Sequence, residues 1–260
     1  MNLSILQRIE LFHLIFLRAL VRKIPVSCFS VKGGCNLRFF FGSERYSEDI
    51  DIDISGVAVH ALKNQVMSIF KSGGTIDTAR SLGIDQVRPP DLTQDEQTET
   101  VQRFKVHLIT SAGEDLATKI EFSRRGLDTP IRAEPILPTV LASYRMAPLI
   151  VPHYTTVAAI RQKLQALITR RQPEARDVFD LYVLSSQTEA QDLRMSRYLS
   201  VDDLHQASER VDTIEYEQYR DTVVGFLPPD EQERYDESLM WDQIRLVVIG
   251  MIEQGIGDGD

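Results

Sequence analysis

The sequence predicts an α+β fold with its strands in the first half and helices alone in the second. Three observations carry that expectation. Short runs of alternating apolar and polar residues fall before residue 125, and apolar residues recur at three-to-four spacing after residue 155. Between the two regimes lie prolines 130, 135, 138, 148 and 152. The chain of 260 residues has room for one large domain or two modest ones, each with its own core. The expected division is 1–135 for the α+β part and 136–260 for the helical part.

Each element has its own signal. Ile5, Leu6, Ile9, Phe12, Phe16, Leu17 and Leu20 share one helical face, which predicts a helix over 3–22, ended by Pro25. Val26 to Val31 is apolar enough for a short buried strand. Cys35 to Phe41 suits a short helix stopped by Gly42, and Tyr46 to Ile54 alternates as a strand does. A helix follows over 57–70, closed by Gly73-Gly74. Residues 88–100, rich in Pro, Asp, Gln and Thr, read as an exposed loop. Arg103–Thr110 and Leu116–Ser123 alternate again around a Ser111-Ala112-Gly113 turn. Helices are then expected near 155–170, 173–185, 201–225 and 229–254, with a disordered tail from Gly255.

Bulk properties exclude some classes. Hydrophobic and charged fractions of 43% and 26% are those of a soluble globular chain, and the net charge of −9 argues against a general polyanion-coating protein. A local basic groove remains compatible with that charge. Cys28 and Cys35 lack redox or zinc spacing and read as thiols in a reducing cytoplasm. The apolar run from Leu11 to Leu17 is interrupted by His13 and flanked by Arg8, Glu10 and Arg18, unlike a signal sequence. No stretch is apolar over the length of a membrane span. A cytoplasmic protein is expected. The five histidines (13, 60, 107, 153, 205) are scattered and read as structural.

The segment that carries chemistry runs from Lys32-Gly33-Gly34 through Arg38 and Arg45 to Ser47-Glu48-Asp49-Ile50-Asp51-Ile52-Asp53. On a strand, Asp49, Asp51 and Asp53 share one face and the isoleucines the other. Aspartate is disfavoured in strands, and like charges on one face call for a cation. Hard oxygen donors suit magnesium or manganese. The glycine pair between strand and helix lets backbone approach a ligand, and a helix N-terminus favours phosphate. Alone, a glycine pair is usually a turn and an acidic strand is usually a solvated edge. In this order they resemble an apparatus for phosphoryl or nucleotidyl transfer, in which two metals about 3.5–4 Å apart stabilise the attacking and leaving oxygens. No P-loop is present.

Lys-Gly-Gly-x-x-Leu-Arg followed by Arg-x-Ser-Glu-Asp-Ile-Asp resembles the first motif of the AbiEii/AbiGii toxin family of polymerase-β-like nucleotidyltransferases, which includes the MenT toxins. The likeness continues in order with Lys119-Ile120-Glu121-Phe122, with Lys163-Leu164-Gln165-Ala166-Leu167-Ile168-Thr169-Arg170, and with Arg176-Asp177-Val178-Phe179-Asp180-Leu181. It covers about residues 25–185. Cys35-Asn36 in place of small residues, and a missing Glu before Lys163, are its departures. The resemblance implies a polymerase-β-like core with a mixed or antiparallel sheet and a C-terminal helical bundle, with a nucleotide in the cleft between the halves.

It implies further that Asp49 and Asp51 hold Mg2+ or Mn2+, that Glu121 completes the metal site and helps deprotonate the acceptor, and that Lys163 reaches the triphosphate. The residues alone leave Glu121 open as an exposed strand acid, and Asp177 as a helix-dipole partner near Pro173 at the helix start. Asp180 is open as a partner of Arg176. Asp177 and Asp180 are candidates for the nucleotide pocket, with Lys32, Gly33, Gly34, Arg38, Arg45, Ser47 and Lys163. Asp53 reads as a solvated or supporting acid. The activity implied is a toxin of a toxin–antitoxin or phage-defence pair, with a cognate antitoxin, moving a nucleotide from a triphosphate to an RNA acceptor, the tRNA 3′ end. Arg124, Arg125, Arg132, Arg161, Arg170 and Arg171 are candidates for the basic patch. A second reading places the nucleotide on a protein hydroxyl or a small molecule, and a third is an idle nucleotide-binding module.

Overall fold

The computed structural model describes residues 3–93, 95–191 and 193–257. It divides into two compact units, one of residues 1–40 and 46–153, the other of 41–45 and 154–260.

In the first unit, α1 (Ile5–Leu20) starts at a capping box in which Ser4 accepts from the Gln7 backbone while the Gln7 side chain answers. A 3-10 turn at Val26–Cys28 leads into β1 (Phe29–Lys32), so the expected strand at 26–31 begins three residues late. Then come α2 (Gly33–Phe40), β2 (Asp49–Ile54), α3 (Val59–Phe70), α4 (Gly73–Ser81) and β3 (Ile84–Arg88). The unit closes with β4 (Val101–Thr110), β5 (Asp115–Ser123), β6 (Ile131–Pro135), α5 (Pro138–Ser143) and β7 (Ile150–Tyr154), whose last residue already belongs to the second unit. The seven strands are ordered β3-β4-β5-β2-β1-β7-β6 in one mixed sheet. β2 is central. It runs parallel to β5 and antiparallel to β1.

Three expectations about elements fail for physical reasons. Gly73-Gly74 opens α4 rather than closing α3, because glycine weakens a helix interior far more than a first turn. The strand predicted from Tyr46 begins only at Asp49, where the Ser47 hydroxyl takes the Asp49 carbonyl in place of a ladder partner. The proline-rich stretch contains β6 and β7. Prolines 135 and 152 sit inside those strands, β6 being the sheet edge.

The core follows the alternation. Ile50, Ile52 and Ile54 are fully buried, and α1 packs over them through Phe12 and Phe16, which stack on Phe70. Phe16 also meets Phe122 of β5 edge-on. Each such burial stabilises by roughly 1.5–3 kcal/mol, and together these side chains fix which face of β2 points inward. Two polar residues of α1 lie inside as well. Glu10 takes Arg38 and the Tyr144 hydroxyl, and His13 takes Thr118.

The second unit is helical: α6 (Thr156–Thr169), α7 (Ala175–Ser185), α8 (Thr188–Gln191), α9 (Val201–Asp212), α10 (Tyr216–Thr222), α11 (Pro229–Tyr235) and α12 (Ser238–Gly257). The expected helix over 201–225 breaks after Asp212, where the Ile214 carbonyl accepts from the Trp241 indole at 3.0 Å instead of from the next turn. Trp241 stacks on Tyr219, and α12 packs on α7 and α9. The one expected over 229–254 breaks between Tyr235 and Ser238. Gly255–Gly257 continue α12 rather than forming a disordered tail, and 258–260 lie outside the described residues. Among the described residues no helix is long and apolar enough to cross a membrane.

Candidate active site

β2 presents its acids to the open side of the sheet because its isoleucines are claimed by the core. The register sets the neighbours: Asp51 lies between Lys32 on β1 and Glu121 on β5, and Asp49 is opposite Lys119. Three carboxylates and two ammonium groups therefore share one patch of sheet. Lys119 Nζ stands 3.0 Å from Asp49 Oδ2 and 3.6 Å from Glu121 Oε2. Arg103 Nε reaches the same Glu121 oxygen at 2.7 Å. Asp53, expected to be a solvated or supporting acid, is buried and held by Lys32 at 2.6 Å.

The glycine pair forms the first turn of α2, so its N–H groups belong to a helix N-terminus, the place where anions are favoured. Gly33 has a further reason to be glycine. Its φ is +64°, and a Cβ there would stand 3.0 Å from Asp51 Oδ2. The backbone conformation and the room for the Asp51 carboxylate thus both call for glycine at position 33.

Electrostatics separates the three acids. Burial pushes the Asp51 carboxyl above the usual carboxylate range; Lys32 and Lys119 oppose that, while Glu121 and Asp49 add to it. Glu121 goes the other way. Burial alone would raise it, but the Arg103 hydrogen bond and charge outweigh burial and hold it low. Burial would lower Lys119, yet its bond to Asp49, with Glu121 and Asp51, holds it above the usual lysine value.

The donor chemistry fits a hard divalent cation: Asp49 and Asp51 are adjacent carboxylates on one face. Among the described residues no three Asp, Glu, His or Cys side chains gather closely enough to hold a metal by themselves. Magnesium commonly binds through one or two carboxylates plus substrate phosphates, and a pair is enough for that mode.

The second unit holds the other predicted set. Lys163 Nζ is 2.9 Å from Asp177 Oδ1 and 2.6 Å from Asp180 Oδ2, both aspartates being buried and Lys163 partly so. Arg45 meets Asp180 Oδ1 at 3.3 Å, and Arg170 meets Asp177 Oδ2 at 3.4 Å. Asp180 pairs with Lys163 and Arg45, not with Arg176, which turns to Glu174. Burial would lower Lys163, and the two aspartates outweigh it; burial would raise Asp180, and Lys163 with Arg45 outweighs that. Pro173 precedes the helix rather than starting it, since Glu174 is the N-cap of α7.

Other candidates are placed elsewhere. Arg38, expected at the phosphates, binds buried Glu10 at 2.7 Å and lies over the Tyr46 ring. Ser47 donates to the Asp49 carbonyl at 2.8 Å. Arg124 is spent on the Val57 carbonyl and Gln102, and Arg170 on Glu174 and Asp177, so neither is open for the expected basic patch. Sequence reasoning missed Lys119. Its position two residues before Glu121 on an alternating strand was the available signal.

A mixed sheet whose central strand offers paired aspartates beside a glycine-led helix defines a nucleotidyltransferase. The chain belongs to the AbiEii family of nucleotidyltransferase toxins of type IV toxin–antitoxin systems, whose family model matches residues 15–241. The family brings a nucleoside triphosphate substrate, a divalent metal and a cognate antitoxin. In fold, the chain is similar to MenT4, a nucleotidyltransferase toxin from Mycobacterium tuberculosis H37Rv, with a TM-score of 0.60 and 19% identity over 97% of this chain and 84% of that one. It is also similar to JHP933 from Helicobacter pylori, with a TM-score of 0.55 and 18% identity over 97% of this chain and 92% of that one. No curated protein matches the sequence significantly.

Proposed function

We propose that this toxin transfers a nucleotide, with magnesium or manganese held by Asp49 and Asp51, onto the 3′ end of tRNA. The observation that carries the site assignment is the register of β2, which sets Asp51 between Glu121 and Lys32 with the Gly33 backbone against its carboxylate. The RNA acceptor and a role in phage defence rest on the family resemblance. The acidic net charge leaves only local basic residues for RNA, of which Arg125, Arg132 and Arg171 are exposed.

A divalent metal bound there supplies Lewis-acid charge to phosphoryl oxygens. The chain's own groups do the rest. The first turn of α2 offers N–H groups and the positive end of a helix dipole to phosphate. Lys163, fixed by Asp177 and Asp180, contributes a point charge toward the triphosphate. Glu121, oriented by Arg103, stands beside Asp51, where the family resemblance gives it the tasks of completing the metal site and helping to deprotonate the acceptor. The domains proposed for these two tasks are the nucleotidyltransferase core, 1–135, and the helical part, 136–260.

Incubating the protein with each radiolabelled ribonucleotide, magnesium, total tRNA and a cell lysate tests the reading. Label on tRNA removed by 3′-exonuclease is expected. Label on protein or small solutes alone would replace the acceptor, and no label with any triphosphate would return the chain to the idle-module reading.

A further inference from the structure

We propose that Lys119 is a displaceable counter-ion of the acidic strand, neutralising Asp49 and Glu121 while no divalent metal is bound and giving up Asp49 when one is. The inference rests on the reading of Asp49 and Asp51 as metal ligands. It concerns how that pair is kept compatible with a folded sheet before the metal arrives.

The two oxygens of Asp49 are held differently, and both by the same residue. Oδ1 accepts the backbone N–H of Lys119 at 3.0 Å, a side-chain-to-backbone bond between register partners on β2 and β5. Oδ2 meets the Lys119 ammonium, also at 3.0 Å. The first bond has its donor on strand backbone and does not depend on where the Lys119 ammonium lies. The second ends a flexible four-carbon stem and can leave without moving backbone. Departure therefore uncovers Oδ2 while Oδ1 still aims the carboxylate.

Glu121 does not need Lys119. Arg103 binds the same Oε2 more closely, at 2.7 Å against 3.6 Å, so Glu121 keeps a cation when Lys119 moves. Exposure makes the move possible: the Lys119 side chain is 31% exposed, so its ammonium has water to enter. Lys163 shows the contrast. At 13% exposed and bridged to two buried aspartates, it is fixed in place. An arginine at 119 would grip Asp49 through a planar fork and leave less readily.

A general field effect has to be separated from displacement, because any nearby cation weakens metal binding. Lys105 provides the control. It is the register partner of Lys119 across β4–β5, carries the same charge and is 65% exposed, but its ammonium lies toward Asp95 rather than Asp49.

The test titrates Mn2+ alone into the full chain and reads free metal by electron paramagnetic resonance. Lys119→Met is expected to tighten Mn2+ binding about tenfold, from loss of a close positive charge. Lys119→Arg is expected to bind no more tightly than the parent, and Lys105→Met to change affinity less than about twofold, as a screened exposed charge should. In parallel, 15N-lysine spectra of the unmodified protein should show the Lys119 Nζ signal, assigned by its absence from Lys119→Met, shifting on addition of Mg2+. Should Lys119→Met fail to fold, Lys119→Arg, which also lacks the Nζ signal, supplies the assignment. Equal tightening by Lys105→Met, no tightening by Lys119→Met, or an Nζ signal indifferent to Mg2+ would each overturn the counter-ion role. Failure of the metal-site reading looks different: the parent protein and Asp49→Ala then bind Mn2+ equally weakly, and both readings fall.

Discussion

The two ionic clusters of this protein are built from the same residue types and behave as opposites. In the first unit, Asp49, Asp51, Glu121 and Lys119 sit on a sheet face open enough that Asp49 and Lys119 are about a third exposed. In the second, Asp177, Asp180 and Arg45 are buried, the two aspartates at 1% and 0%, and Lys163 between them is only 13% exposed. Exposed ion pairs contribute about 0–1 kcal/mol. Breaking a buried one costs about 3–5 kcal/mol, because the partner is left as an uncompensated charge. The open cluster can therefore exchange partners, and the closed one holds its partners in place. The difference teaches where to look for chemistry: at carboxylates whose neutralisation is incomplete and reversible.

The largest expected effect breaks the open cluster without harming the fold. Asp49→Ala or Asp51→Ala should abolish nucleotide transfer, a loss of a thousandfold or more on the scale of several kcal/mol of metal-borne stabilisation. The melting temperature should hold or rise, since each change relieves repulsion among like charges. Transfer assays and thermal melts on the same preparations check this. A variant that keeps a tenth of its activity would remove that aspartate from the metal site.

The closed cluster should respond in the reverse order. Lys163→Met leaves Asp177 with Arg170 and Asp180 with Arg45 but strips both of their nearest cation. A stability loss of about 3–5 kcal/mol is expected in urea titration. A loss below about 1 kcal/mol would mean the cluster behaves as an exposed one, and the comparison would collapse.

How much of this was readable beforehand divides along the same line. The acids of β2 were legible because alternation is a local property: Ile50, Ile52 and Ile54 require one face, and the aspartates receive the other. The pairing of Glu121 with Asp51 was reached only through family likeness, since register between β2 and β5 spans 70 residues. The partners of Arg38 and Arg45, Glu10 and Asp180, were hidden for a related reason. Nothing local says that Glu10, on a helix of mostly apolar residues, is buried and needs a cation. Cationic residues near a glycine turn look like phosphate ligands until their distant partners are known. Strand β7 was hidden by its own proline, which propensity counts against any strand.

Beneath the open cluster, a buried histidine should make stability depend on pH. His13 donates through Nε2 to Thr118, whose hydroxyl is committed to the Glu48 carbonyl just before β2, while Nδ1 faces the Cys35 thiol. Burial drops its pKa from 6.5 to about 3. Between those values the unfolded chain binds a proton that the folded chain refuses, so stability falls as pH falls below 6.5. The slope contributed approaches about 1.4 kcal/mol per pH unit. His13→Gln keeps a donor for Thr118 and cannot titrate. Urea titrations at pH 7.0, 6.0 and 5.0 should give a shallower loss for the variant. Parallel curves for the two proteins would show that His13 charges in the folded state without penalty.

The smallest effect sharpens the boundary of the open cluster. Asp53 shares the face of Asp49 and Asp51, yet it is buried and closed against Lys32 at 2.6 Å, and so resembles the second unit's acids in miniature. Asp53→Asn removes one charge and retains an oxygen that can accept from Lys32. Stability should fall by about 1 kcal/mol, the worth of a partly buried charged hydrogen bond. Lys32, no longer neutralised, then lends its full charge to Asp51, whose raised pKa it already opposes. Metal affinity should weaken modestly and transfer should fall by no more than about tenfold, because one added nearby charge on a wet surface is largely screened. Kinetics at saturating and limiting Mg2+ separate the two outcomes. Recovery at high Mg2+ places Asp53 outside the ligand set, acting through Lys32, whereas a loss as complete as that of Asp49→Ala, and deaf to added metal, would move the metal site one step further along β2.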